Sequence, residues 1–175
     1  PAAARRADAL VVTRCDQVAA AVLEALVREL QERAPGRPVL RAVHRPMRLI
    51  EWRGARRPLS SLEGKPVSLA SGIANPAAFR RQVEDLGAVV REERRYPDHH
   101  AYTPADAAEL RELPGPLVCT AKDAVKLRPL GLAFLSLEVE LALTSGGPVL
   151  AALLDALPPS RGERERAALH EGLHG

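Results

Sequence analysis

Residues 66–76 read PVSLASGIANP, and the fold class can be inferred by working outward from them. Val67 to Ala70 form a short apolar run of the kind that builds a buried strand. Gly72 permits a tight turn, and Asn75 before Pro76 is typical of a helix start, with asparagine as the N-cap and proline in the first helical position. Strand, turn and helix in quick succession predict a unit of a layered α/β protein.

The same alternation continues along the chain. We expect further strands at 9–13, 88–90, 116–119 and 132–139, and helices that begin near Asp16, Thr103, Thr120 and Pro148. Strands that alternate with helices favour a parallel sheet. The predicted fold class is therefore α/β, with a mostly parallel Rossmann-like sheet and flanking helices.

The first third of the chain adds a helix and a hairpin to this pattern. The run 9–13 is expected to be a strand buried on both faces. Asp16 is a candidate helix cap, and an apolar stripe repeats every fourth residue at Val18, Val22, Leu26 and Leu30. Two short strands, 39–44 and 48–52, are expected to form a β-hairpin around Arg45-Pro46.

Composition limits the kind of partner. Aromatic residues make up only 3% of the chain, so the core must be aliphatic and few side chains could stack on bases. Arginines cluster at 53–57, 80–81 and 91–95, which suits an anionic partner or a solvated surface. We expect no nucleic-acid partner, no disulfide between Cys15 and Cys119, and no signal peptide or transmembrane segment.

Polar residues gather where the parallel strands end. In open α/β sheets ligands bind beyond the carboxyl ends of the strands. The segments 71–75, 96–103 and 120–126 fall there. The sequence therefore predicts a site at this edge of the sheet.

Within 96–103, the pair Asp98-His99 could supply a general base, since histidine titrates near neutral pH. A structural loop histidine and a metal ligand are the alternatives, although no third ligand stands at a recognisable spacing. In 120–126, Lys122 could bind phosphate, and Asp123 fits a helix cap that begins at Thr120. No phosphate-binding loop, dinucleotide fingerprint or nucleophile elbow occurs in the chain.

Three segments, in this order, resemble those of the tetraacyldisaccharide 4'-kinases. They are SGIANP at 71–76 with Phe79, YPDHHAYT at 96–103, and TAKDAVKL at 120–127; residues 6–14 are also similar to a strand of that family. The chain departs from the family pattern at Ala121, where glutamate is usual, and at Tyr96, where phenylalanine is usual.

The resemblance implies a kinase that transfers the γ-phosphate of ATP to the 4'-hydroxyl of a tetraacyldisaccharide 1-phosphate, with magnesium, in lipid A biosynthesis. It implies that His99 and Asp98 are catalytic. We take His100, Tyr102, Asn75, Lys122 and Arg80 as candidate substrate-binding residues, with no cofactor-binding or metal-binding residue in this part. The enzyme is expected to be a monomer, cytoplasmic and peripheral to the cytoplasmic face of the inner membrane, with Arg80, Arg81, Arg94 and Arg95 as candidate membrane contacts.

The same resemblance predicts a domain organisation. Residues 1–38 would end an N-terminal lobe, 39–66 would form the hairpin linker, 67–157 the second lobe of a P-loop kinase, and 158–175 a charged tail. Because the phosphate-binding loop is absent, we expect this chain to be a C-terminal part that is inactive alone. The alternative is a non-catalytic α/β module that binds an anionic lipid or a partner protein.

Overall fold

A computed structural model describes residues 2–158. Within them the chain forms six α-helices and seven β-strands. The helices are α1 (Ala2–Arg6), α2 (Ala20–Arg33), α3 (Pro76–Asp85), α4 (Pro104–Arg111), α5 (Ala121–Leu127) and α6 (Gly147–Asp155). The strands are β1 (Leu10–Val12), β2 (Val39–Glu51), β3 (Arg56–Arg57), β4 (Pro66–Ser71), β5 (Val89–Arg95), β6 (Leu117–Thr120) and β7 (Leu135–Ser145).

The described residues form two compact units, one from residues 2–43 with 142–158 and the other from 44–141. Strands β2 and β7 each contribute residues to both units. The division into kinase lobes, linker and tail stays a prediction, and residues 159–175 of the predicted tail lie outside the described part of the chain. None of the described helices is both long and apolar enough to cross a bilayer.

In the unit 44–141, the strands β5, β4, β6 and β7 lie side by side and pair in parallel. Strand β2 neighbours β7, and β3 pairs antiparallel with β2. Trp52 N donates to Phe134 O, while Arg48 pairs with Glu138, so β2 and β7 run in opposite directions. The predicted α/β class with a mostly parallel sheet is confirmed.

The core of this unit lies on both faces of the sheet. Val67 and Leu69 of β4 enter one cluster with Phe79 and Val83 of α3, whereas Ala70 enters a second cluster with Leu110 of α4. Alternate residues of a strand point to opposite faces, so one strand supplies both clusters. Most members are leucine, valine or alanine, as the composition predicts.

The hairpin differs from the prediction. Strand β2 continues through Pro46 without a break, because the fixed φ of proline is compatible with extended backbone. The hairpin that forms is β2 with β3, in which Leu49 pairs with Arg57 and Ile50 with Arg56. The last strand, β7, also begins later and runs further than the predicted 132–139.

The unit of residues 2–43 and 142–158 corrects two further predictions. Helix α2 begins after Ala19, and no side chain caps it; Asp16 lies in a preceding 3₁₀ turn. Leu23 and Val27 are its buried residues, whereas Val22 of the predicted stripe is 58% exposed. Apolar residues occupy two adjacent stripes of α2, so the helical period cannot select between them. In β1, Val11 is exposed, so this strand is not buried on both faces.

Candidate active site at the carboxyl edge of the sheet

The three polar segments meet where β4, β5 and β6 end. Strand β5 leads into the loop 96–103, and Tyr96 N donates to Ser71 O at the end of β4, at 2.9 Å. From the other side Lys126 Nζ of α5 donates to His100 O at 3.0 Å. The structure thus brings the predicted segments to one edge of the sheet.

A buried carboxylate joins two of these segments. Asp123 is fully buried, and both of its oxygens accept from Gly72 N at 3.2 Å. Thr120 Oγ1 donates to the same carboxylate at 2.6 Å. A Cβ at Gly72 would lie 3.2 Å from Pro97 O and 3.3 Å from Asp123 Oδ1, so a side chain there would require these neighbours to shift by a few tenths of an ångström. The backbone of the turn after β4 is therefore hydrogen-bonded to a side chain of α5, and we call this contact the Gly72–Asp123 clamp.

His99 lies on a strained turn that this clamp supports. Its φ of 61° is in the left-handed region, which a residue with a Cβ seldom adopts. Its backbone N–H donates to Gly72 O at 3.3 Å and to Asp98 Oδ1 at 3.1 Å. The imidazole itself is 84% exposed, with Nε2 at 3.8 Å from Asp98 Oδ2. Strain of this kind persists only where the surroundings hold it, and it is common at functional sites.

His100, the next residue, has the opposite environment. Its ring stacks on Tyr96 with centroids 4.6 Å apart and meets the edge of Tyr102 at 5.1 Å. Nε2 lies 3.1 Å from Asp106 Oδ2, and the side chain is only 25% exposed. The contacts of His100 are internal, and they hold the loop against α4.

Three hydroxyl groups at this edge are buried and have no hydrogen-bond partner within residues 2–158, namely those of Ser71, Tyr96 and Tyr102. Burial, and then the charge of Asp123, raises the pKa of Tyr102 well above its usual value. The carboxylate is close enough for this effect but does not lie in hydrogen-bonding geometry. Burial and the charges of Asp106 and Glu109 likewise raise the pKa of Tyr96. Both tyrosines therefore stay protonated at neutral pH.

The other candidate residues have different surroundings. Asn75 caps α3, since its Oδ1 accepts from Ala78 N at 3.0 Å. Arg80 pairs with Glu84 at 2.9 Å and with Glu93 at 3.4 Å. Lys122 is exposed in the first turn of α5. Asn75 and Arg80 thus have structural partners, while Lys122 remains available to a ligand.

Two parts of the site were not anticipated from the sequence. The spacing of Thr120 and Asp123 predicts a helix cap, and the cap exists, because Thr120 Oγ1 accepts from Asp123 N. The contact with Gly72 was missed, because it joins residues 51 positions apart. Lys126 was also missed as a contact of the histidine loop. Its position one helical turn after the buried Asp123 is the only local signal that it faces the same edge.

The comparisons with known proteins identify the family. The fold and this site define the class: an α/β protein whose candidate site lies at the carboxyl edge of the parallel strands, where such proteins bind ligands. The family model "LpxK: Tetraacyldisaccharide-1-P 4'-kinase" matches residues 1–158. The chain belongs to this kinase family.

Individual relatives of the chain are kinases of the same name. A tetraacyldisaccharide 4'-kinase of Anaeromyxobacter sp. (strain Fw109-5) is 39% identical over 163 residues, which are 89% of this chain and 44% of the relative. The enzyme of Acidithiobacillus ferrooxidans is 45% identical over 92 residues, 51% of this chain and 26% of the relative. The chain thus spans less than half the length of the curated relatives it matches.

A solved structure is also similar. The crystal structure of Aquifex aeolicus LpxK in complex with ATP aligns with a TM-score of 0.44 at 23% identity. The alignment covers 76% of this chain and 47% of that chain.

Proposed function

We propose that this chain is the C-terminal part of a kinase that phosphorylates the 4'-hydroxyl of a tetraacyldisaccharide 1-phosphate with ATP, in lipid A biosynthesis. Family membership supports the reaction class. The observation that carries the site is the exposed imidazole of His99, beside Asp98, on a turn held by the Gly72–Asp123 clamp.

In this reaction the sugar oxygen attacks the γ-phosphorus, the bond to ADP breaks, and the hydroxyl proton must leave. Phosphoryl transfer depends mainly on positioning and on stabilisation of charge. His99 accepts the proton, because its imidazole is solvent-exposed and therefore accessible to the substrate hydroxyl. Asp98 is assigned to orient that imidazole, because its Oδ2 lies 3.8 Å from Nε2.

The remaining candidates divide by their present contacts. Lys122 is exposed and carries a positive charge, so it suits the 1-phosphate or a transferring phosphate. Tyr102 offers a protonated hydroxyl without a partner among the described residues. His100, Asn75 and Arg80 already have intramolecular partners, which favours a supporting role near the substrate rather than direct contact.

ATP and magnesium bind mainly through the rest of the full-length kinase. No group of three or more His, Cys, Asp or Glu within residues 2–158 could hold a metal ion. The sequence also lacks the glycine-rich loop that cradles phosphates. We therefore assign no step to magnesium on these residues and expect the chain to be inactive alone.

A phosphoryl-transfer assay tests the proposal. ATP, magnesium and the tetraacyldisaccharide 1-phosphate are supplied to two proteins. One is this chain, and the other is a longer protein expressed from the same coding sequence extended upstream. Formation of the 4'-phosphate and ADP only by the longer protein is the expected result. A longer protein that is folded but inactive would support the alternative, a module that binds an anionic lipid or a partner protein.

The proposal includes a monomeric protein at the cytoplasmic face of the inner membrane. Of the arginines first considered for membrane contact, Arg80, Arg94 and Arg95 form ion pairs with glutamates. The β2–β3 hairpin is better suited. Arg53 lies over the Trp52 ring, 4.5 Å from its centroid, and neither Arg53 nor Arg56 has a carboxylate partner within residues 2–158. Tryptophan is enriched at membrane–water interfaces, and arginine is attracted to an anionic lipid surface.

Trp52 is the only tryptophan of the chain, so its fluorescence reports on this hairpin and on the core cluster against which Trp52 packs. We expect a blue shift with vesicles containing phosphatidylglycerol and little change with phosphatidylcholine. Each arginine near an anionic surface contributes about 1 kcal/mol, so Arg53→Gln with Arg56→Gln should weaken binding about 30-fold. Arg28→Gln with Arg128→Gln, which removes two exposed arginines outside this hairpin, is the matched control. Equal binding of both variants would assign membrane contact to another surface.

A further inference from the structure

A buried carboxylate on α5 supports the turn that carries the exposed His99. Asp123 of α5 has no exposed surface, yet it carries an acid group. Burial of a charge is unfavourable unless hydrogen bonds compensate for it. Here Gly72 N and Thr120 Oγ1 both donate to the carboxylate, so the contact with Gly72 is one of the two bonds that make its burial possible.

Gly72 passes this restraint to the histidine turn. Its N–H is held by Asp123, and its carbonyl accepts from His99 N. The peptide unit before Gly72 is therefore held by α5 through its N–H, and the peptide unit after Gly72 is held by the histidine turn through its carbonyl. A Cβ at Gly72 would meet Pro97 O at 3.2 Å and the His100 Cβ at 3.4 Å, so the histidine turn packs tightly against this glycine.

His99 needs such a restraint. A left-handed backbone at a residue with a Cβ costs roughly 1–3 kcal/mol and persists only where the surroundings determine it. The bond from His99 N to Gly72 O joins the turn to the strand end, and the bond to Asp98 Oδ1 lies within the turn itself. Only the bond from His99 N to Gly72 O depends on the position of Gly72.

We propose that Asp123 and Gly72 are positioning residues, which act through the backbone to fix the imidazole of His99 for proton transfer. This inference rests on the proposed catalytic role of His99. Asp123 touches no reacting atom in this arrangement. Its contribution is to the geometry, and a misplacement of about 1 Å can cost about 100-fold in rate.

A nuclear magnetic resonance measurement tests the positioning on this chain alone. A residue with positive φ brings its amide proton close to its own Hα, so His99 should show a strong intraresidue NOE between them. We expect this NOE in the native chain and in Asp85→Ala, an exposed carboxylate control of the same unit. It should weaken in Asp123→Ala. An unchanged NOE in folded Asp123→Ala would overturn the proposal.

Kinetics of the full-length kinase carrying this segment test the consequence. Asp123→Ala should lower kcat by about 100-fold while the KM for ATP stays unchanged. The double variant with His99→Ala should be no slower than His99→Ala alone, because both changes remove the same function. Effects that multiply would show that Asp123 acts independently of His99, against the proposal.

Two further variants keep the test decisive if Asp123→Ala does not fold. Asp123→Asn retains one acceptor for Gly72 N and should lose less than about tenfold in kcat. Gly72→Ala keeps the carboxylate but places a Cβ 3.2 Å from Pro97 O and 3.3 Å from Asp123 Oδ1, so it should displace the turn and lower kcat as Asp123→Ala does. Native kinetics in Gly72→Ala would overturn the proposal. If His99→Ala leaves the rate unchanged, the proposed function fails, while the NOE still decides whether Asp123 positions the turn.

Discussion

Two helices of this protein begin with the same spacing and use it differently. Helix α4 starts at Thr103 with Asp106 three residues later, and α5 starts at Thr120 with Asp123 three residues later. In α4 both side chains close a capping box, in which Asp106 accepts from Thr103 N at 2.7 Å. In α5 only the threonine caps, and the aspartate binds Gly72 instead.

Burial explains the difference. Thr103 is exposed, and within residues 2–158 its backbone and hydroxyl share Asp106 only with His100. Asp123, by contrast, is fully buried beside the end of β4. The spacing determines where a helix begins. The surroundings decide whether the carboxylate serves that helix or another part of the protein.

The comparison predicts that loss of Asp123 has the largest effect on stability. Asp123→Ala leaves Gly72 N and Thr120 Oγ1 without their acceptor. Each buried donor left unpaired costs about 1–3 kcal/mol. We expect roughly 2–4 kcal/mol less free energy of unfolding in urea titrations, because the threonine hydroxyl can partly reorient. A loss below that of the Asp106 variant would contradict this assignment.

Asp106→Ala should be milder. It removes the acceptor of Thr103 N and the partner of His100, both in the more exposed part of the site. Loss of a helix cap costs about 0.5–2 kcal/mol. The same urea titration measures it, and Asp85→Ala serves as the control for removal of an exposed carboxylate.

The cap of α4 should also depend on pH. Hydrogen bonds from the Thr103 backbone and side chain, and then from His100, lower the pKa of Asp106. A lowered folded-state pKa means that the carboxylate stabilises the fold above the unfolded pKa of about 4. That contribution is lost as pH falls from there through the folded pKa. Native protein should therefore lose more stability below about pH 4 than Asp106→Asn; parallel curves would refute the prediction.

Asp16 should have the smallest effect. The sequence predicts that it caps α2, but the helix begins after Ala19 with no side-chain cap. Asp16→Ala should therefore change the free energy of unfolding by no more than about 0.5 kcal/mol. A loss near 1 kcal/mol, as for a true cap, would show that Asp16 supports the helix after all.

Much of the fold could be predicted because its signals are local. Asn75-Pro76 and the two threonine caps mark helix starts through hydrogen bonds within four residues, and all three are confirmed. The stripe of α2 was wrong, because apolar residues lie on two adjacent stripes and only tertiary contacts select Leu23 and Val27. The break at Pro46 was wrong, because proline alone does not end an extended strand.

The site was predictable in outline and not in detail. Parallel strands bring their carboxyl ends to one edge, so the meeting of 71–75, 96–103 and 120–126 follows from the order of elements. The sequence distinguishes His99 from His100 only through the adjacent Asp98 and the family resemblance, and it does not show that His99 is 84% exposed while His100 packs against two tyrosine rings. That difference arises from the left-handed turn at His99 and from Asp106, which no local pattern connects with His100.

The most direct test compares these two neighbours in the full-length kinase carrying this segment. We expect His99→Ala to lower the rate of phosphoryl transfer by about 10²- to 10⁴-fold. His100→Ala should lose less than about tenfold per folded enzyme, because its contacts are internal. A rate for His99→Ala close to the native value, or an equal loss in both variants, would contradict the assignment of His99 as the general base.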